Sequence, residues 1–206
     1  MAVLPAFEVE TRLHFAAREE AFRLLPFLRS CLDRELIWET HLHGLDLFRR
    51  GELLRLAGGH TPGGEDRFLL GWKGPDHGSF ANIREEIDEE ITHGIADSAV
   101  LAKLGGGAAA ASPAEAAAAL TRLGHVRFRT FSGRSLLGVY EPLGLHLKLM
   151  HCPILKWPLM LEIEKTAGDA PAAAAAEREI EGYVRAWGLT DRVVREEPPA
   201  LFVADR

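Results

Sequence analysis

Three strand-like stretches of the chain set acids two residues apart, and two of them carry an arginine in the same row. These are Glu8-x-Glu10-x-Arg12, Arg84-x-Glu86-x-Asp88 and, near the other end, Glu162-x-Glu164. Residues two apart stand on one face of an extended strand. Carboxylate oxygens in such a row are hard donors of the kind Mg²⁺ or Mn²⁺ takes, along with phosphate oxygens and water. Arg and Lys nearby can hold phosphate oxygens, Arg in bidentate fashion. Further bases on strand-like segments are Arg55, Lys73, Arg127, Arg129, His146 and Lys148. Acids and bases nearly balanced on such faces suit a polyphosphate bound together with divalent metal. There the metal polarises a phosphate and a nucleophile is positioned.

Strands must present these rows. Phe7–Leu13 alternates apolar Phe7, Val9 and Leu13 with Glu8, Glu10 and Arg12, the period-two signal of a half-buried strand. Strands are also predicted over 34–41, 51–57, 67–73, 126–131, 136–140, 145–150 and 159–165, while 81–91 reads equally as strand or helix. Helical spacing of Phe22, Leu25, Leu28 and Leu32 predicts a helix over 16–33. Others are predicted over 99–104, 113–123 and 171–187, the last stopped by Gly188. Gly58–Gly64 reads as a turn. Two strand-rich halves joined by a Gly/Ala-rich helical segment near 94–123 make one α+β domain, 1–206, with a mainly antiparallel sheet. If that sheet closes on itself, the charged faces line a polar lumen. On the plainer alternative they are the solvated faces of an ordinary antiparallel sheet.

Composition narrows the function classes. Formal net charge is −6 over 206 residues, so nothing global points to nucleic acid or an anionic membrane, and an anionic ligand needs a local basic cluster. Cys31 and Cys152 are too few and too far apart for a disulfide framework or thiolate zinc site. Glu8 and Glu10 interrupt any apolar leader, and no run of about 18 apolar residues occurs. A soluble cytoplasmic protein, monomer or homodimer, is the expectation. Gly58–Gly64 lacks the G-K-[ST] ending of a phosphate-binding loop, and His41-x-His43 lacks a third spaced metal ligand.

The rows also match a known pattern. The chain resembles the CYTH domain family, the triphosphate tunnel metalloenzymes that include class IV adenylate cyclases and thiamine triphosphatases. Glu8-x-Glu10-x-Arg12 is similar to its E-x-E-x-K signature, Leu53-Leu54-Arg55-Leu56 to its L-R-x-R strand, and Gly71-Trp72-Lys73-Gly74-Pro75 to its K-G-P strand end. Arg84-Glu85-Glu86-Ile87-Asp88 resembles its R-x-E-x-E element, and Leu161-Glu162-Ile163-Glu164 its closing E-I-E. The five fall in family order. Ala57 stands where the family has a second arginine, and His151-Cys152-Pro153 where it has an acid before the last of these strands.

The resemblance implies a closed, eight-stranded antiparallel β-tunnel flanked by helices. It implies that Glu8, Glu10, Glu162 and Glu164 hold catalytic Mg²⁺ or Mn²⁺, assisted by Glu86 and Asp88. It implies Arg12, Arg55, Lys73, Arg84, Arg127 and Arg129 as phosphate ligands, and places Glu8, Glu10, Lys73 and Arg84 in the catalytic group. Lys148, on an inward face, is a further candidate cation. The expected activity is metal-dependent hydrolysis of a small-molecule triphosphate: inorganic triphosphate, thiamine triphosphate or a nucleotide. The alternatives are a cyclase making cyclic AMP from ATP, and a catalytically weak triphosphate- or polyphosphate-binding module.

Overall fold

A computed structural model of the protein describes residues 6–202. Nine strands are formed: β1 (Ala6–Phe15), β2 (Leu32–His43), β3 (Leu53–His60), β4 (Arg67–Lys73), β5 (Asn82–Glu90), β6 (Arg127–Tyr140), β7 (Leu145–His151), β8 (Leu159–Ala167) and a two-residue β9 (Val193–Val194). Six helices accompany them: α1 (Arg18–Leu24), α2 (Leu28–Cys31), α3 (Leu45–Arg49), α4 (Ala99–Lys103), α5 (Pro113–Arg122) and α6 (Ala170–Ala186). The sheet order is β5-β4-β3-β2-β6-β7-β8-β1-β9, and β5 also pairs with β1. Eight strands therefore close into an antiparallel barrel, and β9 adds to β1. Closure removes the exposed edges an open sheet would leave.

Contacts divide the chain into two units. One takes Ile37–Asp76 and Arg84–Ser132, and the other Phe7–Leu36, His77–Ile83 and Gly133 onward. In the first, Leu54, Leu56, Leu70, Trp72 and Ile87 of β3–β5 bury one sheet face against Val100, Leu101 and Leu120 of α4 and α5. In the second, Val9, Leu13, Leu147, Leu161 and Ile163 bury one face against Ala173, Ile180 and Val184 of α6. The alternation read from the sequence thus becomes helix-covered apolar faces, with the charged rows on the opposite side of the same strands.

Helix ends follow local chemistry. Ser112 caps α5 by accepting the Glu115 N–H at 3.2 Å, while Glu115 accepts the Ala111 N–H at 2.8 Å. Asp169 caps α6 through the Ala172 N–H at 2.8 Å, and Gly188 follows its end at φ 69°, a left-handed position that disfavours side chains.

Three expectations are corrected. The helix over 16–33 is two helices, because Pro26 lacks the N–H that would continue α1, and Leu32 already belongs to β2. Gly58, Gly59 and His60 extend β3, paired with Glu39, Trp38 and Ile37, so the turn begins only at Thr61. The segments 126–131 and 136–140 are one 14-residue strand, β6. The ambiguous 81–91 is strand β5, and β9 had no signal in its two residues. No described helix is long and apolar enough to cross a membrane.

Candidate active site

The acidic row forms where β1 lies beside β8. Pairing sets Glu10 opposite Glu164 and Arg12 opposite Glu162, with Glu8 opposite Thr166. On the far side of β8, Lys148 and His146 of β7 stand opposite Glu162 and Glu164. All occupy the face that α6 leaves uncovered. Glu8, Glu10 and Arg12 are nevertheless buried.

Arg12 organises this cluster. Its Nη2 lies 2.7 Å from Glu10 Oε2 and 2.9 Å from Glu197 Oε2, and its Nε is 3.4 Å from Glu162 Oε1. Lys148 Nζ holds the other Glu162 oxygen at 2.8 Å. Burial alone would lower the Arg12 pKa, but Glu10, Glu197, Glu162 and Glu8 outweigh it and raise the value, so the guanidinium stays charged. Its Nη1 is buried with no hydrogen-bond partner, leaving one donor for a further acceptor. Arg12 thus pairs with three acids, Glu10, Glu162 and Glu197.

Glu197 was not among the sequence candidates. It lies past β9, where Val194 pairs with Arg12 and the Lys156 N–H reaches Leu201 O at 2.7 Å, and these contacts carry its carboxylate to Arg12. No periodicity marks it. The adjacent Glu196-Glu197 before Pro198-Pro199 lacks the two-residue spacing of the other acidic rows.

The basic row is built on β3, β4 and β5. Arg55, Gly71 and Asp88 are in register across the three strands, and so are Lys73 and Glu86. Arg55 Nη2 crosses β4 to reach Asp88 Oδ2 at 2.6 Å and Glu86 Oε1 at 3.1 Å. Lys73 Nζ joins the same Glu86 oxygen at 3.3 Å. Gly71 makes the crossing possible. A Cβ there would collide with Asp88 Oδ1 and lie 2.9 Å from Arg55 Nε. Arg84 is buried, and its Nη1 donates to Gly51 O at 2.7 Å and Gly74 O at 2.6 Å, bracing the β3 and β4 ends beside Lys73. Arg127 and Arg129 are exposed near the start of β6. Ala57 pairs with Thr40 and Leu69, bringing no charge to its place in β3.

These residues suit a hard divalent cation in donor type, since the acids of β1 and β8 offer only carboxylate oxygens. Among the described residues, however, no three His, Cys, Asp or Glu side chains converge as a ready ligand set. Glu10 and Glu162 turn oxygens to Arg12 instead, so a metal would have to draw them from that guanidinium.

No protein-family model and no curated protein sequence matches the chain. Solved structures do. The PH1819 protein of Pyrococcus horikoshii is 20% identical with a TM-score of 0.67, over 92% of this chain and 94% of that one. A candidate adenylate cyclase of Vibrio parahaemolyticus is 14% identical at TM-score 0.65, covering 96% and 98%. HpAC1 of Hippeastrum, a candidate adenylyl cyclase with a dominant triphosphatase activity, is 17% identical at TM-score 0.55, covering 89% and 88%. The chain shares their fold, which agrees with the resemblance carried by the five motifs.

Proposed function

We propose that the protein is a divalent-metal-dependent hydrolase acting on a small-molecule triphosphate, with inorganic triphosphate, thiamine triphosphate and nucleoside triphosphates as the candidate substrates. The observation that carries this reading is the register of the charged rows. On sheet faces that the helices leave open, Arg12 and Lys148 stand opposite Glu162, and Lys73 opposite Glu86, while Glu10 is set directly against Glu164. Like charges set directly opposite destabilise a sheet, so a merely solvated face gives no reason for the Glu10–Glu164 pair or for burying Glu8 and Glu10, whereas a divalent cation between the strands does.

In this reading Glu8, Glu10, Glu162 and Glu164 hold Mg²⁺ or Mn²⁺, which when bound polarises the phosphate and acidifies a coordinated water. Arg55, Lys73 and the exposed Arg127 and Arg129 hold phosphate oxygens. Arg84 sets the Lys73 strand end in place through Gly51 and Gly74. Glu86 and Asp88 orient Arg55 and Lys73 by accepting from them. Arg12 and Lys148 compensate the acidic row, and the open Nη1 donor of Arg12 is available to an anionic oxygen.

The named activity of the Vibrio and Hippeastrum proteins favours one second reading, cyclisation of ATP. The test is phosphate release from inorganic triphosphate, thiamine triphosphate and ATP with Mg²⁺ or Mn²⁺, with Glu10→Gln as control. Hydrolysis lost in the variant supports the proposal, cyclic AMP with pyrophosphate supports the cyclase, and activity equal in the variant overturns the role of Glu10.

A further inference from the structure

A large cavity lies away from the charged rows. Its volume is about 880 Å³, and its floor is Phe15, Leu136, Leu149 and Leu159. On β1, β7 and β8 these floor residues belong to the helix-packed face, opposite Arg12, Lys148 and Glu162. The cavity is therefore distinct from the acidic row, and the function proposed above does not use it.

Its walls combine features of a small-molecule site. Trp157 and His14 stack with ring centroids 4.0 Å apart at the mouth, forming a flat aromatic wall. Burial, then the nearby Arg192, lowers the His14 pKa, so this ring is neutral near pH 7. Around the rim stand Arg18, Arg134, Lys156 and Arg192, against the acids Glu20 and Glu35. Glu20 is engaged by Arg192 at 2.8 Å, and Glu35 sits 3.7 Å from Arg134. Arg18 and Lys156 are exposed and, among the described residues, pair with no acid; each lies over a ring, Phe22 at 4.9 Å and Trp157 at 5.2 Å. Four cations against two acids make a basic rim on a chain whose net charge is −6.

An apolar floor closed by an aromatic wall and ringed with surplus positive charge is complementary to an amphipathic anion. We propose that this cavity is a binding site for a small ligand with an acyl or aryl body and an anionic head. The body lies on Phe15, Leu136, Leu149 and Leu159, beside Trp157. The head is held by Arg18 and Lys156. The size is right for one such molecule, since ligand pockets of roughly 300–1,000 Å³ bury most of a drug-sized ligand. Head chemistry is shared by carboxylate and phosphate, and the probes below separate them.

The test is titration of the full-length protein with decanoate, decyl phosphate and decanol, read by tryptophan fluorescence, with Trp157→Phe assigning the signal. Decanoate or decyl phosphate is expected to bind and change the Trp157 emission, and the tighter of the two names the head group. The double variant R18E/K156E changes only exposed side chains, so the fold is retained, and it should weaken the anion about tenfold or more, as for loss of a charged hydrogen bond. Decanol should bind more weakly than either anion. Decanol binding as well as the anions, an unchanged affinity in R18E/K156E, or no fluorescence change with any probe would each overturn the proposal.

Discussion

Replacing Arg12 by Met separates the two roles assigned to the acidic row. Met keeps an unbranched apolar stem reaching about as far as Nε and removes the guanidinium with its charge and hydrogen bonds. Three contacts disappear: Glu10 at 2.7 Å, Glu197 at 2.9 Å and Glu162 at 3.4 Å. Glu162 keeps Lys148, but Glu10 has only 4% of its side chain exposed and Glu197 11%. Breaking a buried ion pair by removing one partner costs about 3–5 kcal/mol. The partial solvent access of Glu197 and Glu162 argues for the lower end, about 3 kcal/mol. For a domain of this size each kcal/mol moves the melting temperature by about 2–4 °C, so a fall of about 6–12 °C is expected. If the same glutamates bind divalent metal, a cation at the vacated place restores stability. Mn²⁺ at a hundredfold over its Kd returns about 2.7 kcal/mol. The assay is calorimetric melting of wild type and Arg12→Met, each with EDTA and with Mn²⁺. A variant as stable as wild type in EDTA refutes the counter-cation role. A destabilised variant that Mn²⁺ does not stabilise refutes the metal assignment of Glu10 and its neighbours.

Gly71→Ala should leave the melting temperature within a few degrees, because the clash falls on flexible side-chain ends and Ala restricts the unfolded chain. It should raise the KM for triphosphate several-fold by turning Arg55 from Asp88; an unchanged KM removes Arg55 from the phosphate ligands. Lys73→Ala should lower kcat/KM by about one to two orders of magnitude, the loss of a charged hydrogen bond worth ~1.5–3 kcal/mol, and steady-state kinetics showing no change would end its phosphate role. Glu177 accepts the backbone N–H groups of Ser79, Phe80 and Ala81 at 2.6, 2.7 and 3.1 Å. Burial would raise its pKa, but these bonds outweigh that and lower it below the ordinary 4.5. With the folded value depressed, its stabilisation is present above pH 4.5 and is lost as pH falls through the folded pKa. Acid unfolding of Glu177→Gln should therefore show a shallower loss of stability below pH 4.5 than wild type, and identical acid limbs would contradict the cap.

The charged rows were legible because alternation is a local property. A strand sends successive side chains to opposite faces whatever it pairs with, so Glu8, Glu10 and Arg12 share a face in any fold that keeps them extended. The stop at Gly188 was equally local. Less was legible where two local readings were nearly equal in energy. The segment 81–91 carries both strand and helix patterns, and pairing with β4 decides it. The Gly58-Gly59 pair looks like a turn, yet it is held in β3 by hydrogen-bonding neighbours on both sides.

What each charge meets was settled only by the tertiary structure. The motif marks Arg12 as a cation of the row; only register sets it opposite Glu162, and only the packing of the chain brings Glu197, 185 residues away, to its guanidinium. Gly71 reads as part of a strand end, and only the alignment of three strands makes it the gap through which Arg55 reaches Asp88. Local spacing was enough to say which residues share a face wherever the chain is extended, because backbone geometry alone enforces that. Partner, burial and reach depend on strand register and on where distant segments return, and those are properties of the whole chain's packing.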